Sequence, residues 1–363
     1  MTLPHAISEA MPSRADLIPL LEKDLGEVAA FIAAQSDRRV EIVAPHLQWF
    51  WLENPARQPD GPLGFGLRSD GRLVGCILCS PQAFRFENRK LILMGSSSFY
   101  VEGGHRGHGG RIFLQYSRLG SKWPLFGTSA NIQAAALWKA CGATPIPYSD
   151  GELFGVLRWP PLAEEFAHRK LTNRTVSRLA GTVLPQLARI FRPLKIDTGL
   201  AGVLHVVSSP EQVNDLPIHE SSTKLTALRD PNYIRWRYFS GRDSTTEVFA
   251  FRSRQPDREI LVTVNQRTRG YRSQINTLNI LDVYPEVPAA EWLRIVGALI
   301  GRYRSSVDAI VLRGQDSERT RLFRARGFQE RAFEAPNGWF LDKADLLPSL
   351  DWYPVPADGD GLI

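Results

Sequence analysis

Alternating apolar and polar residues over 63–67, 73–80 and 90–101 predict three strands, and Ser69-Asp70-Gly71 between the first two has hairpin chemistry. Upstream, the chain from Leu17 predicts a short strand, then helices around 25–34 and 46–52. Downstream, the periodicity predicts helices over 112–119 and 132–141. Between and after them it predicts strands over 125–129, 145–148 and 153–157. Antiparallel strands followed by two crossover helices predict an α/β fold with a mixed sheet.

Sliding the chain against itself by 185 residues superimposes several of these landmarks. Leu125-Phe126-Gly127-Thr128 falls on Ile310-Val311-Leu312-Arg313, and Trp51 falls on Trp236. The following helix carries Asn131, Ala134, Leu137, Trp138 and Gly142 in one copy. The other carries Asp316, Arg319, Leu322, Phe323 and Gly327 at the same separations. A polar residue opening each helix and a glycine closing it predict matching N-caps and left-handed C-terminal turns. Two related halves follow.

The halves differ at Gly104-His105-Arg106-Gly107-His108-Gly109-Gly110-Arg111, a basic glycine turn between the strand ending at Val101 and the helix from Ile112. Glycine leaves the main-chain N–H unshielded, so such a turn at a helix start can wrap a phosphate in amide donors. In the second half, Arg106, Gly109 and Gly110 correspond to Glu291, Arg294 and Ile295. Only the first half is therefore expected to hold a phosphate.

Two motifs carry a family resemblance. They are the turn Arg106-Gly107-His108-Gly109-Gly110-Arg111 after a strand, and Asn131-Ile132-Gln133-Ala134-Ala135-Ala136-Leu137-Trp138-Lys139-Ala140-Cys141-Gly142-Ala143. Together they resemble the GCN5-related N-acetyltransferase (GNAT) superfamily. The full length, with its Trp49–Pro55 and 234–238 segments and the ending 351–360, is similar to bacterial tandem-GNAT proteins with a degenerate second half. The resemblance implies two GNAT-like domains, each a mixed, largely antiparallel sheet flanked by helices. It also implies an acetyl-CoA or other acyl-CoA donor. The amides of Arg106, Gly107, His108, Gly109, Gly110 and Arg111 would hold its pyrophosphate, Phe99, Tyr100 and Val101 would flank its pantetheine arm, and Asn131 would lie beside it. The acceptor would be an amine of a small molecule, amino acid or amino sugar, attacking the thioester directly. Glu102, Tyr100 and His105 are the expected proton-transfer groups. Trp138 stands where many members carry a tyrosine that protonates the departing thiolate, and an indole cannot do so. Either the thiolate leaves with help from water or another group such as Tyr100 or Tyr148, or the acyl donor chemistry differs. The alternatives are a transferase using an acyl-carrier protein or aminoacyl-tRNA, and a binding module without turnover.

At 363 residues, two domains are expected, and the boundaries fall at 1–14 (disordered start), 15–160, 161–200 and 201–363. The segment 161–200 holds seven Arg or Lys against three acids, with apolar residues at helical spacing, and predicts a basic amphipathic linker. Its surface suits either the flanking domains, an acidic carrier protein or the face of a membrane. A net charge of +6 and a pI near 9.3 favour acidic ligands without choosing among them. The start lacks a secretory pattern and no apolar run is long enough to span a bilayer. Three cysteines give no disulfide framework, so a cytoplasmic protein is expected. Cys76 and Cys79 have metal-like spacing but no second pair, and on a strand their thiols face opposite sides, so no metal site is expected. The aromatic clusters at Trp49–Trp51 and Tyr233–Tyr238 are read as core rather than as a DNA-stacking surface.

Overall fold

A computed structural model describes residues 15–59, 61–87, 89–170, 194–199, 203–215, 224–240, 245–253, 259–270, 275–347 and 352. The N-terminal segment 1–14 and most of the basic segment, 171–193, lie outside the described residues.

The first half runs β1 (Ala15–Leu20), α1 (Leu25–Ser36), α2 (Val40–Leu47), β2 (Gly64–Ser69), β3 (Arg72–Phe86) and β4 (Arg89–Val101). It continues through α3 (Gly109–Arg118), β5 (Leu125–Gly127), α4 (Ile132–Ala140), β6 (Thr144–Pro145), β7 (Gly151–Val156) and α5 (Trp159–Lys170). The second half holds β8 (Leu204–Val206), β9 (Thr226–Ala227), α6 (Pro231–Ile234), β10 (Thr246–Arg252), β11 (Glu259–Arg269) and β12 (Ile275–Tyr284). After these come α7 (Ala289–Tyr303), β13 (Ala309–Arg313), α8 (Ser317–Ala325), β14 (Gln329–Ala332) and β15 (Trp339–Leu341).

The sheets repeat one another strand for strand. One has the order β1-β2-β3-β4-β5-β15-β6, with β9 added along β3; the other has β8-β10-β11-β12-β13-β7-β14. Each is antiparallel except for one parallel pair, β4 with β5 and β12 with β13. The architecture is thus two mixed sheets flanked by helices, as expected. The boundary expected near residue 160 is crossed in both directions, because each half lends a strand to the other's sheet. β7 enters the second sheet between β13 and β14, and β15 enters the first between β5 and β6. Neither sheet is complete without a strand from the other half.

Local chemistry accounts for the repeat. Asn131 Oδ1 accepts from Ala134 N at 2.9 Å and Asp316 Oδ1 accepts from Arg319 N at 2.7 Å, so both helices carry the expected side-chain cap. Gly142 and Gly327 follow those helices with φ of +84° and +98°, the left-handed turn that glycine adopts without strain.

Side-chain alternation on the strands divides the interior. Ile77 and Cys79 join α3 and α4 on one face of the first sheet, while Cys76 and Leu78 face α1, α2 and the second half. The two thiols thus point apart, as expected. That second core contains Trp49, Phe50, Tyr233, Trp236, Val248 and Leu261, so it is shared by both halves. The aromatic clusters are core, as the sequence predicts. Across the two halves, Trp49 is the residue that contacts Trp236. Both indoles sit on wide helical turns, Gln48–Leu52 and Arg235–Ser240. No helix among the described residues is long and apolar enough to cross a membrane.

Candidate functional site

The strands β4 and β5 pair only at Met94 with Leu125 and Gly95 with Phe126, and then part. Gly95 is required at this fork, since a Cβ there would lie 2.9 Å from the Phe126 ring. Aromatic side chains from α3 and α4 fill the space beneath it. The Tyr116 hydroxyl donates to Met94 O at 2.7 Å, and Trp138, buried, meets Phe113 and Tyr116 edge-on. Burial holds the Tyr116 phenol well above its ordinary pKa, so it serves the fork and not proton transfer.

Beyond the fork, the strand runs Ser96-Ser97-Ser98-Phe99-Tyr100 along a cleft of about 1050 Å³. A bulge interrupts this edge. Cys76 pairs with Tyr100 and Leu78 with Ser97, so Ile77 opposes both Ser98 and Phe99, and Ser98 has φ of +47°. Such a bulge turns main-chain groups out of the regular ladder. The opposite walls of the cleft come from α4 (Asn131, Ala134, Trp138), from α1 and α2 (including Glu41 and His46), and from the second half (Gln266, Arg267, Arg269 and Arg313). The site therefore lies between the halves, a frequent place for ligands.

The glycine turn leaves the cleft-lining end of β4 and forms a short, tight helical turn, Gly103–His108, leading into α3. It is not extended, and of the residues 103–111 Gly109 alone is buried. A Cβ at Gly103, Gly104, Gly107 or Gly110 would meet nothing within 4 Å, while one at Gly109 would touch Phe99 and Val101 at 3.6 Å. None of these glycines has positive φ. The four other than Gly109 share an open approach to the backbone, not a backbone shape. In the second half, the residues 185 positions on fall within α7, which is regular helix from Ala289 onward. Glu291 and Arg294 pair with each other there, at 2.8 Å. The second half has no equivalent turn.

The expected residues separate into three groups. Phe99, Tyr100 and Asn131 line the cleft, and Asn131 spends its side-chain oxygen on the α4 cap. Val101, Arg106, Gly107, His108, Gly109, Gly110 and Arg111 lie at the turn outside the cleft lining. Arg111 is held away from any ligand approaching along the turn: it donates to Ala15 O at 3.2 Å and lies 3.3 Å from His108 Nδ1. Glu102 and His105 do not face the cleft. Glu102 takes a bidentate pair from Arg72 at 3.0 and 2.8 Å, which holds its carboxyl below the usual range, and His105 Nδ1 lies 3.6 Å from it. Glu102 and Arg72 thus form an ion-paired brace at the end of β4, with His105 beside it. The groups in the cleft able to accept a proton are His46 and Glu41, which the sequence reading passed over. Pro45-His46 inside a helix next to an aromatic run was the available signal. The ring of His46 stacks on Phe50 and tilts against Trp49.

No family model matches the sequence, and no curated protein matches it. Solved structures do match the fold. A probable N-acyltransferase of unknown function from Enterococcus faecalis aligns with a TM-score of 0.55 at 11% identity, over 92% of this chain and 75% of that one. A GCN5-related N-acetyltransferase from Anabaena variabilis aligns at 0.53 and 11%, over 90% and 72%. The Saccharomyces cerevisiae N-myristoyltransferase with bound myristoyl-CoA aligns at 0.52 and 13%, over 94% and 80%. The chain has the GNAT fold, in a form with two GNAT-like halves.

Proposed function

We propose that the protein is an acyl-CoA-dependent N-acyltransferase whose donor enters at the fork of β4 and β5. The observation that carries this reading is the fork itself: a bulged, serine-rich strand edge opens onto the cleft and continues into an unshielded glycine turn. The amides of residues 103–111 receive the pyrophosphate, and the pantetheine arm lies along Ser96–Tyr100. The resemblance of the fold to proteins described as N-acetyltransferases and to a myristoyl-CoA-bound enzyme supports the donor class.

In the reaction, the acceptor nitrogen attacks the thioester carbon, the C–S bond breaks, and the amine proton leaves. Main-chain donors at the 97–99 bulge stabilise the oxyanion. His46 or Glu41, both lining the cleft, takes the amine proton. Trp138 cannot protonate the thiolate, so Tyr100, which borders the cleft, supplies that proton. The acceptor enters from the second half, between α2 and β11.

Thiol release from a series of acyl-CoAs of increasing chain length, against a panel of primary amines, tests this. Amine-dependent release with at least one donor supports it. Tight binding of coenzyme A with no release for any pair would instead make the protein a binding module.

A further inference from the structure

Behind the main cleft lies a smaller cavity of about 100 Å³, joined to it through Ser129, Arg267, Arg269 and Arg313, which border both. Its cationic wall is set by strand register. Asn265, Arg267 and Arg269 stand two residues apart on β11 and so share one face, and Arg313 ends β13, which lies beyond β12 in the same sheet.

Three observations make this a prepared anion site. First, among the described residues that border the cavity there are three arginines and no carboxylate. The nearby acid, Glu152, lies behind them, fully buried, and binds Arg313 at 3.0 Å and Arg331 at 3.4 Å. Second, Arg269 is directed by a neutral group: its Nη2 donates to Asn279 Oδ1 at 2.9 Å, and no described carboxylate pairs with it. Burial, reinforced by Arg313, Arg267 and Arg331 and opposed by Glu152, holds its pKa below the ordinary arginine value. Third, Asn265 is fully buried, accepts from Asn279 Nδ2 through its oxygen at 3.1 Å, and leaves its own Nδ2 without a partner among the described residues. A buried amide donor without an acceptor is costly unless a ligand supplies one.

We propose that this cavity binds the anionic group of the acceptor, which is therefore an amine bearing a carboxylate or a phosphate, held by Arg267, Arg269, Arg313 and Asn265 Nδ2. The volume admits one such group and leaves the amine in the larger cleft. The amine's fate rests on the acyltransferase reading; the anion site rests on the cavity alone.

Calorimetric titration of the intact protein with inorganic phosphate, acetate and neutral acetamide, in the presence of coenzyme A to occupy the glycine turn, tests the assignment. Phosphate or acetate binds saturably and acetamide does not. Arg269→Gln weakens that binding by about tenfold, the scale of a lost charge-assisted hydrogen bond. Arg267→Gln, on the same face of β11, does the same should the first variant fold poorly. Binding of phosphate alone marks a phosphorylated amine, and binding of acetate marks an amino acid. If neither anion binds, or if both variants bind as the wild type does, the assignment is overturned. A separate titration with coenzyme A reads the donor proposal: anion binding without coenzyme A binding would refute the donor and leave the anion site standing.

Discussion

Trp49 and Trp236 donate their indole N–H groups to each other's main-chain carbonyl, at 2.9 and 3.0 Å, with ring centroids 5.2 Å apart. One residue comes from each half, so the pair fastens the halves at the centre of their shared core. Arg237, itself buried, lies over both rings at 5.9 and 5.7 Å. Replacing either indole by phenylalanine strands a buried carbonyl and is expected to cost about 1–3 kcal/mol. Because each ring serves the other, the double variant should cost less than the sum of the singles. Urea denaturation of the three variants checks both statements.

A second buried contact, within the second half, is ionic. Arg229 and Asp282 pair at 2.9 Å with almost no exposure, and Tyr238 donates to the same carboxylate at 2.6 Å. Asp282→Asn leaves Arg229 uncompensated and is expected to destabilise the protein by about 3–5 kcal/mol. The joint replacement Arg229→Met with Asp282→Leu should recover much of the loss, since the desolvation cost disappears with the charges. Melting temperatures of both variants provide the comparison.

Cys76 and Cys79 lie within the sheet, and burial pushes the Cys76 thiol up to about 12 and raises Cys79 as well. A raised folded-state pKa adds stability that is fully present below the unfolded value, near 9, and is lost as pH climbs toward the folded one. The urea midpoint should therefore fall between pH 9 and 11, and fall less in Cys76→Ala. In the native state at pH 8, iodoacetamide should label Cys141, which is partly exposed, and spare the other two. Peptide mass mapping reads the labelling.

Much of this fold could be read from the chain because its signals are local. Alternation located β2 to β4, and the cap at Asn131 with the glycine at 142 fixed α4 and, 185 residues later, α8. The exchange of β7 and β15 was not readable, since pairing of distant short strands leaves no local trace. The site divides in the same way. The glycine turn and Phe99–Tyr100 stood out by composition, whereas Glu102 looked available until its pairing with Arg72 was seen. Asn265, Arg267 and Arg269 were missed although their two-residue spacing on a strand was visible. Charged residues at that spacing usually mark a solvated face, and here the segments 128–129, 146–151 and 337–338 cover it to close the cavity.

Gly110 offers a clean separation of donor binding from folding. A Cβ there would meet nothing within 4 Å, so Gly110→Ala should fold and bind coenzyme A within a few-fold of wild type. Gly110→Asp sets a carboxylate beside the amides proposed to hold pyrophosphate and should weaken coenzyme A binding by about a hundredfold or more, with little change in melting temperature. Equal affinity in the two variants would remove the turn from the site.

The most direct test is hydrogen–deuterium exchange with and without coenzyme A. The account predicts slowed exchange in 96–101 and 103–111, and no slowing in 288–296, the stretch of the second half that matches the turn. Unchanged exchange in 103–111, or protection of the second half instead, would contradict it.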